Sequence, residues 1–359
     1  MKKGTSRATR QYNKKRCMLV TGGLLVVLFL LMCLATSLGV ASISPASIGK
    51  VIASKIPIVN QWISADDVKK TTYAIIWNVR LPRVFLSALT GGALAIVGAT
   101  FQGIFRNPLA DPHILGVSSG AALGATLAML SGIQISLFGL GVIGVFAFIG
   151  AILAVILVYG VAKIGVGRSV VNMLLIGTAL STMFSAVISL LMTFNHDKIE
   201  KVYMWTLGSF SSASWDKVRF LLIFTLLGFA ILLCFTRELN VILTGEETAK
   251  TLGIDTKKVI QILITISSLL VAASVSVSGI IGFVGLIIPH CVRLISGPDY
   301  RTLLPYSFFT GAIFMILSDT IARMAVPPSE IPVGIITAII GAPYFIFILF
   351  YRQKRMHMQ

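Results

Sequence analysis

Two arginines open a long apolar run in "NVRLPRVF", residues 78–85. With Pro82 in the first turn of a helix, where its missing N–H costs little, Arg80 and Arg83 stand three apart and share a face. Such a pair can present a cationic fork to the carboxylates of a partner or an acidic ligand. Arginines snorkelling to lipid phosphates are the plainer reading. A third arginine, Arg323 in "LSDTIARMAVPPSEIP", follows Asp319 by four residues and is expected to pair with it within one helix, with donors to spare. Catalytic chemistry is not expected. The four histidines, His113, His196, His290 and His357, are scattered without HExxH or CxxC spacing, and no metal site is expected; His290 reads as packed and hydrogen-bonded rather than as a haem or metal ligand. The only Gly-Lys pair, Gly49-Lys50, has Ser44 where a phosphate loop needs its first glycine, so any ATP must be bound by another subunit.

The elements that must position these arginines belong to a membrane protein. Of 359 residues 56% are hydrophobic and 12% charged, and the mean hydropathy is +0.92, which leaves too little polar surface for a soluble globule. The net charge of +17 is held in short segments between apolar runs, which argues against nucleic acid as its partner. Stretches with few or no charges place spans at about 18–42, 84–105, two within 112–162, 169–195, 220–236, 259–292, 303–326 and 331–351. Basic residues crowd both termini, so both are expected in the cytoplasm and the number of crossings is even. The expected fold is all-α and polytopic, with about ten transmembrane helices. It divides into a basic N-terminus (1–17), a single membrane domain (18–351) and a basic tail (352–359). The first apolar run is read as an uncleaved span rather than a secretory signal.

Even parity requires 259–292 to enter and return, yet its second limb reaches only about 20 Å at 1.5 Å per residue. A short or broken helix near 283–295 is therefore expected, with Gly279, Gly282, Gly285 and Pro289 supplying the breaks; a tightly packed glycine face is the alternative. On this topology the arginines and the tryptophans Trp62, Trp77, Trp205 and Trp215 lie towards the outer surface. The inner loop 237–258 holds "TGEETAKTLG", expected to form a short surface helix from Gly245 to Leu252 with Thr244 as N-cap, Glu246 and Glu247 in its first turn, Ala249 within, and Gly253 as stop. It is either a solvated connector or a rigid knob for a cytoplasmic protein.

Four long segments, beginning "RLPRVFLSALTGG", "TGEETAKTLGI", "GIIGFVGLIIPH" and "SDTIAR", occur in order between about residues 78 and 351. Together they resemble the permease subunit of the FecCD family, the ABC importers of iron-siderophores, haem and cobalamin. The resemblance implies that Arg80, Arg83 and Arg323 receive acidic residues of an extracytoplasmic substrate-binding protein. It also implies that Gly245, Glu246, Glu247, Ala249, Leu252 and Gly253 form the coupling helix seated on the ATPase. It further implies a second permease, identical or paralogous, an ATPase dimer carrying ATP and magnesium, a bacterial inner or plasma membrane location, and no cofactor on this subunit. Iron-siderophore is the first expectation for the cargo, then haem, then cobalamin. The rival class, an ion-coupled transporter, normally carries ionisable groups facing an intramembrane cavity, and here only Asp319 lies well inside a span.

Overall fold

The computed structural model describes residues 3–39, 43–56, 67–133, 136–137, 139–166 and 170–356. A helix α1 (Lys3–Ser37) leads to the short α2 (Pro45–Ala53), capped by Ser44, and α3 (Lys70–Ala74). A π-turn (Ile75–Arg80) joins α3 without interruption to α4 (Leu81–Ile104). The turn widens where Pro82 withdraws an N–H from the ladder. A 3₁₀ turn (Pro112–Leu115) precedes α5 (Val117–Ser131), and a two-residue hairpin, β1 (Ser136–Leu137) with β2 (Leu140–Gly141), leads into α6 (Val142–Val161). Next come α7 (Val170–Thr193), α8 (Ile199–Thr206), α9 (Trp215–Cys234), α10 (Thr236–Ile242) and α11 (Glu246–Thr251). The chain ends with α12 (Thr256–Ser278), α13 (Val284–Ser296), α14 (Tyr300–Met324) and α15 (Val333–Met356).

Among the described residues seven helices are long and apolar enough to cross a membrane, and three shorter apolar ones, in α5, α13 and α15, bring the number to the expected ten. α4 is the hub: 89% of its most apolar window is buried, against 0% for α1 and 11% for α7. Its run "LTGGALAIVGATFQG" explains this. Between helices in lipid there is little hydrophobic drive, so close van der Waals packing over small residues must hold them. Gly91 lies against Gly311 of α14, and Gly98 against Gly285 of α13, so closely that a methyl group at any of the four would overlap neighbouring backbone or side-chain atoms. Polar ties add direction: Tyr300 Oη donates to Ala99 O at 2.9 Å and Gln102 Nε2 to Leu286 O at 3.0 Å.

The return expected at 259–292 is present, but its break is narrower than expected. α12 stops at Gly279, whose φ of 72° no other residue adopts cheaply, and residues 279–283 run without helix. Gly282 lies in that linker, whereas Gly285 and Pro289 sit inside α13, so they are packing residues rather than breaks. Side-chain and backbone groups from other segments tie the linker and the end of α12 in place. His113 Nε2 bonds Ile281 O at 2.9 Å, and Ser209 N–H donates to Ser278 O at 2.7 Å.

Candidate functional site

The C-terminal end of α1 has orphan carbonyls that a buried helix end must pair. Arg80 Nη1 donates to Thr36 O and Ser37 O, both at 2.9 Å, and Arg323 Nη2 donates to Ala35 O. The fourth carbonyl, Leu34 O, takes the N–H of Leu38. Two guanidinium groups thus sit at the negative end of the α1 dipole, where cations are favoured.

Arg83 is held differently. Its Nε and Nη2 grip Asp319 at 2.8–3.1 Å, while Nη1 reaches both oxygens of Glu330 at 2.8 and 2.9 Å. A planar fork meeting two carboxylates satisfies all the geometry that guanidinium offers. The expected pairing of Asp319 with Arg323 is therefore corrected. Asp319 serves Arg83, from 236 positions earlier in the chain, and Arg323 turns to α1. Nor do Arg80 and Arg83 form an outward fork, because the π-turn and their separate partners splay them apart. Arg80, Arg83 and Arg323 are 5, 7 and 6% exposed, and Asp319 2%. The accessible member is Glu330, whose side chain is 40% exposed. Glu330 was not singled out from the sequence, although it stands in the "PPSEIP" segment; only the fold brings it to Arg83.

At the other end of α4 the chain turns through Arg106, which adopts a φ of 47°, beside α11. That helix occupies Glu246–Thr251, close to expectation, with two differences. Thr244 is not its cap, since the Thr244 hydroxyl donates to Val241 O; Gly245 holds the N-cap position, and α10 precedes it unannounced. Gly253, with a φ of 80°, closes it, and Ile254 N–H returns to Ala249 O. Ala249 is fully buried and anchors the helix, while Leu252 is 64% exposed and Glu247 lies on the surface. Glu246 meets Lys250 at 3.1 Å. Its bond from Lys250 holds the Glu246 carboxyl below the usual range, helped by the Thr256 hydroxyl and the charge of Arg106 against a small cost of burial.

Trp77 and Trp215 meet near the arginine end, with centroids 5.0 Å apart, rings tilted by 38° and Trp215 Nε1 donating to Trp77 O; Trp62 lies outside the described residues. His290 is 8% exposed and bonded within the protein. Among the described residues no group of three His, Cys, Asp or Glu side chains is arranged to hold a metal ion.

The model of the FecCD transport family matches residues 25–351. A cobalamin import permease of Halobacterium salinarum is 45% identical over 290 residues, 80% of this chain and 76% of that protein. A molybdate import permease of Haemophilus influenzae is 38% identical over 93% of this chain and 95% of its own length. A solved structure of a metal-chelate type ABC transporter in an inward-facing conformation superimposes with a TM-score of 0.79, 34% identical, over 92% of this chain and 99% of that one.

Proposed function

The chain belongs to the FecCD transport family, as an ABC importer permease, and from that premise we propose that it carries a metal chelate, in the first instance an iron-siderophore, into the cytoplasm. One observation carries the mechanism. α4 carries Arg83 in its first turn, with Arg80 immediately before it, and leads at its other end to Arg106, beside Glu246 of α11; its 24 residues span about 36 Å. A rigid, buried rod thus joins a carboxylate-binding end to an exposed helical knob.

In this reading the arginine end faces outward. Acidic groups of a binding protein take Arg83 Nη1 from the half-exposed Glu330, while Asp319 keeps Arg83 in place and Arg80 and Arg323 add positive potential. Exposed pairs are worth under about 1 kcal/mol each, so a firm dock needs several that lose water. The knob, Gly245 to Gly253, sits in a separate ATPase dimer that binds ATP and magnesium, with Leu252 as the apolar contact and Ala249 as its root. Nucleotide-driven closure moves the knob, and α4, α12 and the broken segment 279–283 carry the movement to the pathway between two permeases. The membrane-embedded acid that an ion-coupled carrier would titrate, Asp319, is neutralised by Arg83.

A second cargo, cobalamin, is favoured by the 45% identity to a cobalamin permease. Proteoliposomes holding the chain with its ATPase, given loaded binding protein, should take up a ferric hydroxamate in preference to cyanocobalamin, with ATP turnover rising severalfold. Preferential cyanocobalamin uptake would move the cargo to the second reading. Uptake that survives without the ATPase and collapses with a protonophore would end the importer reading.

A further inference from the structure

Beside the arginine end lies a cavity of about 550 Å³, bordered by the ends of α5, α6, α8, α9 and α12. Its wall carries two ammonium groups, Lys201 on α8 and Lys217 on α9, and the hydroxyls of Ser209, Ser211 and Ser212, with Trp205 alongside. Among the described residues Glu330 is the only carboxylate lining it, and both Glu330 oxygens are engaged by Arg83. Among the described residues no carboxylate lies within ion-pair distance of Lys201 or Lys217. Among the described residues, therefore, the two ammonium groups of the cavity have no carboxylate partner.

Lys217 is fixed in place. Its Nζ donates to Ser212 O at 2.9 Å and to Ser212 Oγ at 2.7 Å, which leaves one N–H unused. It also occupies the first turn of α9, where Ser214 Oγ accepts its backbone N–H. The acid of that turn, Asp216, suits the helix dipole and pairs with Arg219 at 2.8 Å rather than with Lys217. An ammonium held by two acceptors, a second ammonium and the hydroxyls of Ser211 and Ser212 are donors of the kind an anion requires, while the Ser209 hydroxyl donates to Ser211 Oγ at 3.1 Å.

We infer that this cavity is a reception site for an anionic group of the cargo, a carboxylate, catecholate or oxyanion, held by Lys217 and Lys201 and by the hydroxyls of Ser211 and Ser212. The inference rests on the importer reading and adds a chemical class to it. Because Glu330 is shared between the cavity wall and Arg83, cargo arrives at the very place where docking loosens a competing carboxylate.

Trp205 on the wall supplies a readout independent of transport. The intact complex in phosphatidylcholine nanodiscs is titrated with iodide, an anionic quencher, and with neutral acrylamide, and the Trp205 contribution is taken as the difference from W205F. Removing both lysines, K201A with K217A, should lower iodide quenching of Trp205 about threefold or more while leaving acrylamide quenching unchanged, because local positive potential concentrates the anion. Millimolar inorganic phosphate should protect Trp205 in the unsubstituted protein. The single variant K217Q provides a second route if the double variant does not fold. Iodide quenching indifferent to the lysines, or no protection by phosphate, overturns the site. Protection seen only when the disc contains phosphatidylglycerol would assign the cavity to a lipid headgroup and overturn the cargo assignment. Stimulation of ATP turnover by binding protein, measured on the unsubstituted complex, tests the importer reading separately.

Discussion

The two ends of α4 keep their charges by opposite means. At the Arg83 end the ions are almost dry, multidentate and drawn from helices far apart in sequence; at the α11 end Glu246 and Lys250 form a wet pair one helical turn apart, with both side chains about half exposed. Losing one partner of a buried pair strands the other in a medium that cannot solvate it, whereas an exposed pair hands its ions back to water. The first end is therefore built so that it cannot move cheaply, except at Glu330. The second contributes little to stability, which leaves its surface available for a partner.

Substitutions test that contrast from the steepest effect downward. Asp319→Ala leaves Arg83 buried with Glu330 alone and should cost about 3–5 kcal/mol, seen as a large fall in folded yield and thermal midpoint in detergent. Gly98→Val, which drives a side chain into Gly285 of α13, should cost about 1–3 kcal/mol by overpacking without touching a charge. Glu330→Gln keeps a hydrogen bond to Arg83 but removes the competing carboxylate; stability should fall by about 1 kcal/mol, while binding-protein affinity rises. Weaker docking in that variant would show that Glu330 holds Arg83 ready rather than competing for it. Lys250→Ala should cost only about 0.3–0.5 kcal/mol, less at high salt.

The Glu246 pair has a sign in pH. Its folded carboxyl lies below the ordinary value, so its stabilisation is complete above the ordinary carboxylate range and fades as pH falls through the lowered one. Lys250→Ala should flatten that acid limb in an unfolding titration.

Much of this architecture was legible in local pattern. Basic termini and charge-free runs imposed even parity, parity demanded a short return limb, and Gly279 marks its start. The knob was legible because Glu246, Glu247 and Gly253 obey end-of-helix rules within eight residues. The partners of the arginines were not. An i,i+4 argument assigns Asp319 to Arg323, and only tertiary packing, with α4 laid against α14 through Gly91 and Gly311, brings Arg83 there first. The carbonyls of Ala35, Thr36 and Ser37 carry no side-chain signal at all. Gly285 and Pro289 were misjudged because composition cannot distinguish a glycine that breaks a helix from one that lets a neighbour approach.

The central claim is that the arginine end and the α11 knob face opposite sides of the membrane. Single cysteines at Ser329 and Thr248, both exposed, in a background lacking Cys17, Cys33, Cys234 and Cys291, can be challenged with a membrane-impermeant maleimide in intact cells. Labelling of Ser329→Cys from outside, with Thr248→Cys reacting only after permeabilisation, is the predicted result. Reaction of both from the same side would contradict it.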